Sequence, residues 1–253
     1  MQKYQYSLLA LLIASAPAAF AQEQTTQDPP SVEVKDIRNP ELRSYRNIVA
    51  GMDAFEEHHN LAPAAPELRF RLRPKRGQPP LEKGEALTVR IKGNGDPVII
   101  PVAPDNTFTV PRMQALLDDD ADMVLNRKKG LVEGMPSVRT PGLPDNVRRL
   151  GDVRLECQVL IAIGKKEMGF LMRAALTTVM LSGNWCEKKN AQFWFSGGHP
   201  LESTVLREGE RTAEVKVKEW SYLAPLGDES WSNDALIEFK YGPEPAATAG
   251  AAP

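Results

Sequence analysis

Two stretches of strict alternation constrain the fold more than anything else in this chain. Leu68, Phe70 and Leu72 share one face of an extended strand, and Arg69, Arg71 and Arg73 share the other. Leu87, Val89 and Ile91 repeat the pattern against Thr88, Arg90 and Lys92. A sheet of such strands has one apolar face, and covering that face requires a second layer. Short apolar stretches at 98–102, 107–110 and 123–125 follow. They are separated by turn sequences, Gly93-Asn94-Gly95-Asp96 and Pro104-Asp105-Asn106. Residues 32–130 are therefore expected to form a small antiparallel β-sandwich. A short helix over 48–60 precedes the strands, with Ile48, Met52 and Phe55 on one face and Pro63 and Pro66 beyond its end.

Residues 131–151 are rich in proline and glycine and read as a linker or an irregular loop. Beyond them, 152–242 is expected to be a smaller α+β domain. Its elements are a strand over 153–163, a buried helix over 168–181 and strands within 192–195, 211–220 and 235–241. The fold class is mainly β, with one buried helix. Two cysteines, Cys157 and Cys186, are expected to pair as a disulfide.

The ends of the chain bear on localisation. Lys3, the apolar stretch 7–16 and the small-x-small triplet Ala19-Phe20-Ala21 have the layout of a secretion signal over 1–21, with cleavage before Gln22. The apolar stretch is short for a bilayer crossing, so no stable membrane anchor is expected. A periplasmic location is the simplest inference, with secretion outside the cell as the alternative. Residues 22–31 read as a flexible leader and 243–253 as a disordered tail. Hydrophobic residues make up 42% of the chain, enough for a packed core. A net charge of −2 argues against a general nucleic-acid binder.

The segment 98–112, with Asp105, Asn106, Phe108 and Val110, resembles the hairpin of prealbumin-like and carboxypeptidase-regulatory-like β-sandwich domains. Asn106 stands where those domains usually carry glycine. The resemblance covers at most 68–126. It implies a non-catalytic accessory module of the cell envelope and brings no catalytic residues.

Two groups are candidate binding sites. Arg69, Arg71, Arg73, Arg90 and Lys92 lie on the polar sides of their strands and suit an anionic partner. Trp194, Trp220, Tyr222 and Trp231 are in the second half, where the sequence also has Trp185; aromatics with polar edges suit interfaces or sugar stacking. Trp231, in a polar loop, is expected to be exposed. The carboxylates Asp118, Asp119, Asp120 and Asp122, or Asp228, Glu229 and Asp234, leave a hydrolase or a calcium site as further readings. His58 and His59 read as an exposed helix end, and His199 as part of a turn. Neither a nucleotide-binding glycine loop nor a zinc-protease motif occurs, and no metal or cofactor is expected. The leading function is non-catalytic binding of a protein or envelope component, followed by glycan or anionic-ligand binding, then hydrolysis.

Overall fold

The computed structural model describes residues 37–78, 81, 86–168, 184–189 and 192–243. The expected signal, leader, 168–181 helix and tail lie almost wholly outside them. The chain begins with β1 (Pro40–Ser44) and α1 (Tyr45–Glu57), then β2 (Arg69–Pro74), β3 (Val89–Lys92), β4 (Val98–Ile100) and β5 (Thr107–Phe108). A short α2 (Gln114–Asp118) leads into β6 (Asp122–Lys128), β7 (Val132–Ser137) and β8 (Val147–Arg149). A long helix, α3 (Leu150–Glu167), comes next. The remaining strands are β9 (Trp194–Ser196), β10 (Leu201–Glu208), β11 (Arg211–Glu214), β12 (Val217–Lys218), β13 (Ser221–Leu223) and β14 (Leu236–Tyr241).

The fold is mainly β, with two sheet-rich regions and a buried helix. In the first region one sheet has the order β1-β6-β3-β4 and the other β5-β2-β7. In the second the orders are β11-β10-β14-β8 and β12-β13-β9. Every strand pair is antiparallel. The alternation in the sequence sets the faces: Phe70, Leu72, Val89 and Ile91 are buried together with Phe108, Met123 and Leu125. The turn at Asn106 takes the left-handed conformation that Asn tolerates, with φ +62°. The strands on either side of it do not pair with each other. β4 joins β3 and β5 joins β2, so this turn carries the chain from one layer to the other.

Two local readings are corrected. Residues 153–163 are helical, not extended, and belong to α3. Leu155, Val159 and Ile163 enter the first core, while Leu150, Val153 and Cys157 enter the second. A helix buried on two sides has no clean polar stripe, so its period is hidden, and its β-branched residues then suggest a strand. A buried helix is therefore present at 150–167, while the one expected over 168–181 lies almost wholly outside the described residues. Residues 131–151 contain β7 and β8, which pair into different sheets. Pro136 is accommodated because β7 is an edge strand.

Close approach fixes how α3 is seated. A Cβ on Gly51 of α1 would come within 2.8 Å of Ile163 on α3, so glycine lets the two helices touch. Cys157 and Cys186 form the expected disulfide, closing a sequence separation of 29 and tying α3 to the 3-10 turn Trp185–Glu187. Loop entropy assigns such a link roughly 3–4 kcal/mol. At the start of α3, a Cβ on Gly151 would lie 2.1 Å from the Leu61 carbonyl oxygen and 3.0 Å from the Asn233 carbonyl. Backbone cannot yield as a side-chain tip can. Gly151→Ala is expected to cost about 3 kcal/mol or more in urea unfolding, as overpacking does. A change below about 0.5 kcal/mol, the range of an ordinary surface substitution, would show that this approach is not tight.

Candidate functional site

The arginine stripe of β2 exists, and it is dressed with carboxylates. Arg69 donates to Glu67 at 2.6 Å and to the Thr107 hydroxyl at 2.8 Å. Arg73 donates to Glu133 at 2.9 Å. Arg71 is the least committed, with Asp105 at 3.5 Å. Asp105 itself is held by the Thr107 amide and hydroxyl. Burial alone would raise its pKa, but those bonds and the nearby arginines bring it below the ordinary carboxylate value. Arg90 and Lys92, expected on the same surface, lie on β3 in the other sheet. The five cations thus divide between two faces.

A fourth arginine, absent from the expected set, completes the β2 face. β7 pairs with β2 so that Glu133, Met135 and Ser137 lie opposite Arg73, Arg71 and Arg69. Arg139 continues that phase past the end of the strand. It is partly buried and donates a long hydrogen bond, Nη1 to the Val147 carbonyl at 3.4 Å. Among the described residues no carboxylate forms an ion pair with it. Burial, and then the Arg148 charge, pull its pKa down; the Glu156 charge opposes them, and Arg71 adds a smaller downward effect.

The neighbours of Arg139 on either side are clamped from beneath. Val138 donates its amide to Glu156 at 2.8 Å and accepts from Arg148 at 3.1 Å. Thr140 gives both its amide and its hydroxyl to Asp152, each at 2.8 Å. Arg148 and Glu156 form a buried two-point ion pair at 2.7 and 3.1 Å. Burial alone would lower the Arg148 pKa; the Glu156 charge overcomes this and raises it. The Tyr222 hydroxyl accepts from Arg148 at 3.4 Å, and burial pushes its pKa up to about 12. Asp152 and Glu156 are one helical turn apart on α3, so one face of the helix grips both flanks of Arg139. The sequence signal that was available is this i, i+4 carboxylate pair inside an apolar run, where charges need partners.

The aromatic set divides as well. Tyr222 is fully buried against Phe239 and Phe195 and is a core residue. Trp231, expected at the surface, is buried beneath the Arg211 guanidinium, 3.7 Å from the ring centroid. Trp194 on β9 and Trp220 at the β12–β13 turn are exposed, at 46% and 40%. Lys188 lies over Trp185.

The carboxylate clusters point in different directions. Asp119 accepts from the Asn94 amide and side chain, Asp120 pairs with Arg46, and Asp122 lies on β6. Asp228 accepts from the Ser230 hydroxyl and amide, and these bonds lower its pKa. A general acid needs the opposite shift. Asp234 pairs with Arg149. His59 hydrogen-bonds the Ala65 carbonyl, and the His199 ring packs on Tyr241. Among the described residues no group of three His, Cys, Asp or Glu side chains is placed to hold a metal ion. No helix among them is long and apolar enough to cross a membrane. No family model, curated protein or solved structure matches the chain.

Arg148→Met leaves the Glu156 charge buried and is expected to destabilise by about 3–5 kcal/mol. Removing both charges in Arg148→Met with Glu156→Leu is often harmless for a buried pair. Here it orphans the Val138 amide and carbonyl as well, so the double variant is expected to stay at least about 2 kcal/mol below wild type. Full recovery in chemical unfolding would show that the pair acts alone rather than as the anchor of 138–140.

Proposed function

We propose that this is a non-catalytic binding protein of the periplasm, or secreted beyond it, that holds an acidic protein partner on the outer face of β5-β2-β7. The observation that carries this reading is Arg139: a partly buried guanidinium with a long bond to a carbonyl, no ion pair to a carboxylate among the described residues, and the charges of Arg148 and Arg71 nearby, opposed by Glu156. A carboxylate placed beside Arg139 relieves that repulsion and forms charge-assisted hydrogen bonds. The mixed character of the face favours a protein over a uniform polyanion. Glu67 and Glu133 alternate with the arginines and would repel continuous negative charge. The clamp on Val138 and Thr140 supports the same reading, because a guanidinium on a fixed backbone loses little freedom on binding.

A second reading rests on Trp194 and Trp220. Their exposure on the sheet of β9, β12 and β13 offers apolar rings for sugar stacking.

A short poly-glutamate peptide, titrated at low salt, is expected to shift the Arg139 Nε–H NMR signal. Arg139→Gln is expected to weaken binding about tenfold to a hundredfold, the range for a hydrogen bond to a charged group. Raising the salt is expected to reduce the affinity. A peptide that moves only exposed lysine signals, or binds Arg139→Gln equally well, contradicts the proposal. A neutral oligosaccharide that quenches the exposed tryptophans instead favours the second reading.

A further inference from the structure

The other face of the first region carries an independent feature. The register of β1-β6-β3-β4 lines up Leu42, Val124, Arg90 and Ile99 in one row across all four strands. The next row along the strands is Ser44, Asp122 and Lys92. Both rows lie opposite the buried face of Met123, Ile91, Leu125 and Val89. Leu42 and Ile99, at the two ends of the first row, are 51% and 56% exposed. Asp122 and Lys92 are also exposed.

We propose that this face associates with the same face of a second copy of the chain. The argument is self-complementarity. A twofold axis parallel to the strands, running between β6 and β3, reverses the strand order and preserves each row. It sets Leu42 against Ile99 of the second copy and Ile99 against the second copy's Leu42. It also sets Asp122 against the second copy's Lys92, and Lys92 against its Asp122. One operation therefore matches the two most exposed aliphatic side chains on the sheet and two opposite charges. Face-to-face sheets pack about 10 Å apart, a gap that a lysine and an aspartate span together. The symmetry is of the isologous kind that closes at a dimer. Four short strands make a small interface, so the dimer is weak and forms with concentration.

Sedimentation of the purified protein between about 1 µM and about 1 mM, where interfaces of this size associate, reads the result directly. A monomer–dimer equilibrium is expected. Ile99→Glu is expected to weaken it at least about tenfold, without changing the far-ultraviolet circular dichroism. Asp122→Lys and Lys92→Asp, each alone, place like charges across the axis and are expected to weaken it similarly. Mixed together, these two variants form a heterodimer in which every facing pair is again opposite, so association returns. Within one chain each variant keeps its like-charged neighbours, so recovery on mixing reports an intermolecular contact. Three results overturn the proposal: a monomer throughout the range, a dimer indifferent to Ile99→Glu, or a mixture no better associated than its components.

Discussion

The buried ion pair between Arg148 and Glu156 organises the molecule around it. Its two-point geometry fixes β8 against α3. Both groups also bond the Val138 peptide, Glu156 accepting its amide and Arg148 donating to its carbonyl, while the buried Arg148 Nε has no partner among the described residues. Desolvating two charges is costly, and attraction between them repays it only when every donor and acceptor is well placed. Here the pair also satisfies the backbone at the exit of β7. One interaction thereby joins the first sheet region, the helix and the second region.

The proposed binding face inherits its geometry from that anchor. Asp152 and Glu156 hold Thr140 and Val138, and Arg139 between them projects from a fixed backbone. Along β2 each arginine has a carboxylate beside it, which keeps a row of three like charges from repelling itself apart. Arg69 and Arg73 have close carboxylate partners, Arg71 between them has a longer one, and Arg139, beyond Arg69, forms no ion pair among the described residues.

The sequence revealed those parts of the fold whose pattern depends on one buried face. β2 and β3 were legible because Phe70, Leu72, Val89 and Ile91 alternate with exposed polar residues. The disulfide was legible because two cysteines in a chain read as exported have few other expected roles. α3 was not legible, because it faces a core on each side and carries β-branched residues. β10 was missed because Thr204 occupies a buried phase of the strand and breaks the apolar alternation. Arg71 was found because it alternates, whereas Arg139 lies in a proline-rich stretch with no period. Trp231 was misplaced because its neighbours are polar, although Arg211 from β11 covers its ring. In each miss a contact between distant segments overrode the local signal.

The central claim is that α3 and its ion pair make the two sheet regions one cooperative structure. Native-state hydrogen exchange tests it most directly. The account predicts that the Val138 and Thr140 amides, both bonded to α3 carboxylates, exchange only with global unfolding. The central amides of β3 and of β14 should then share that same opening free energy. If the β14 amides open in a separate, lower-energy step while those of β3 stay protected, the regions unfold independently and the claim is wrong.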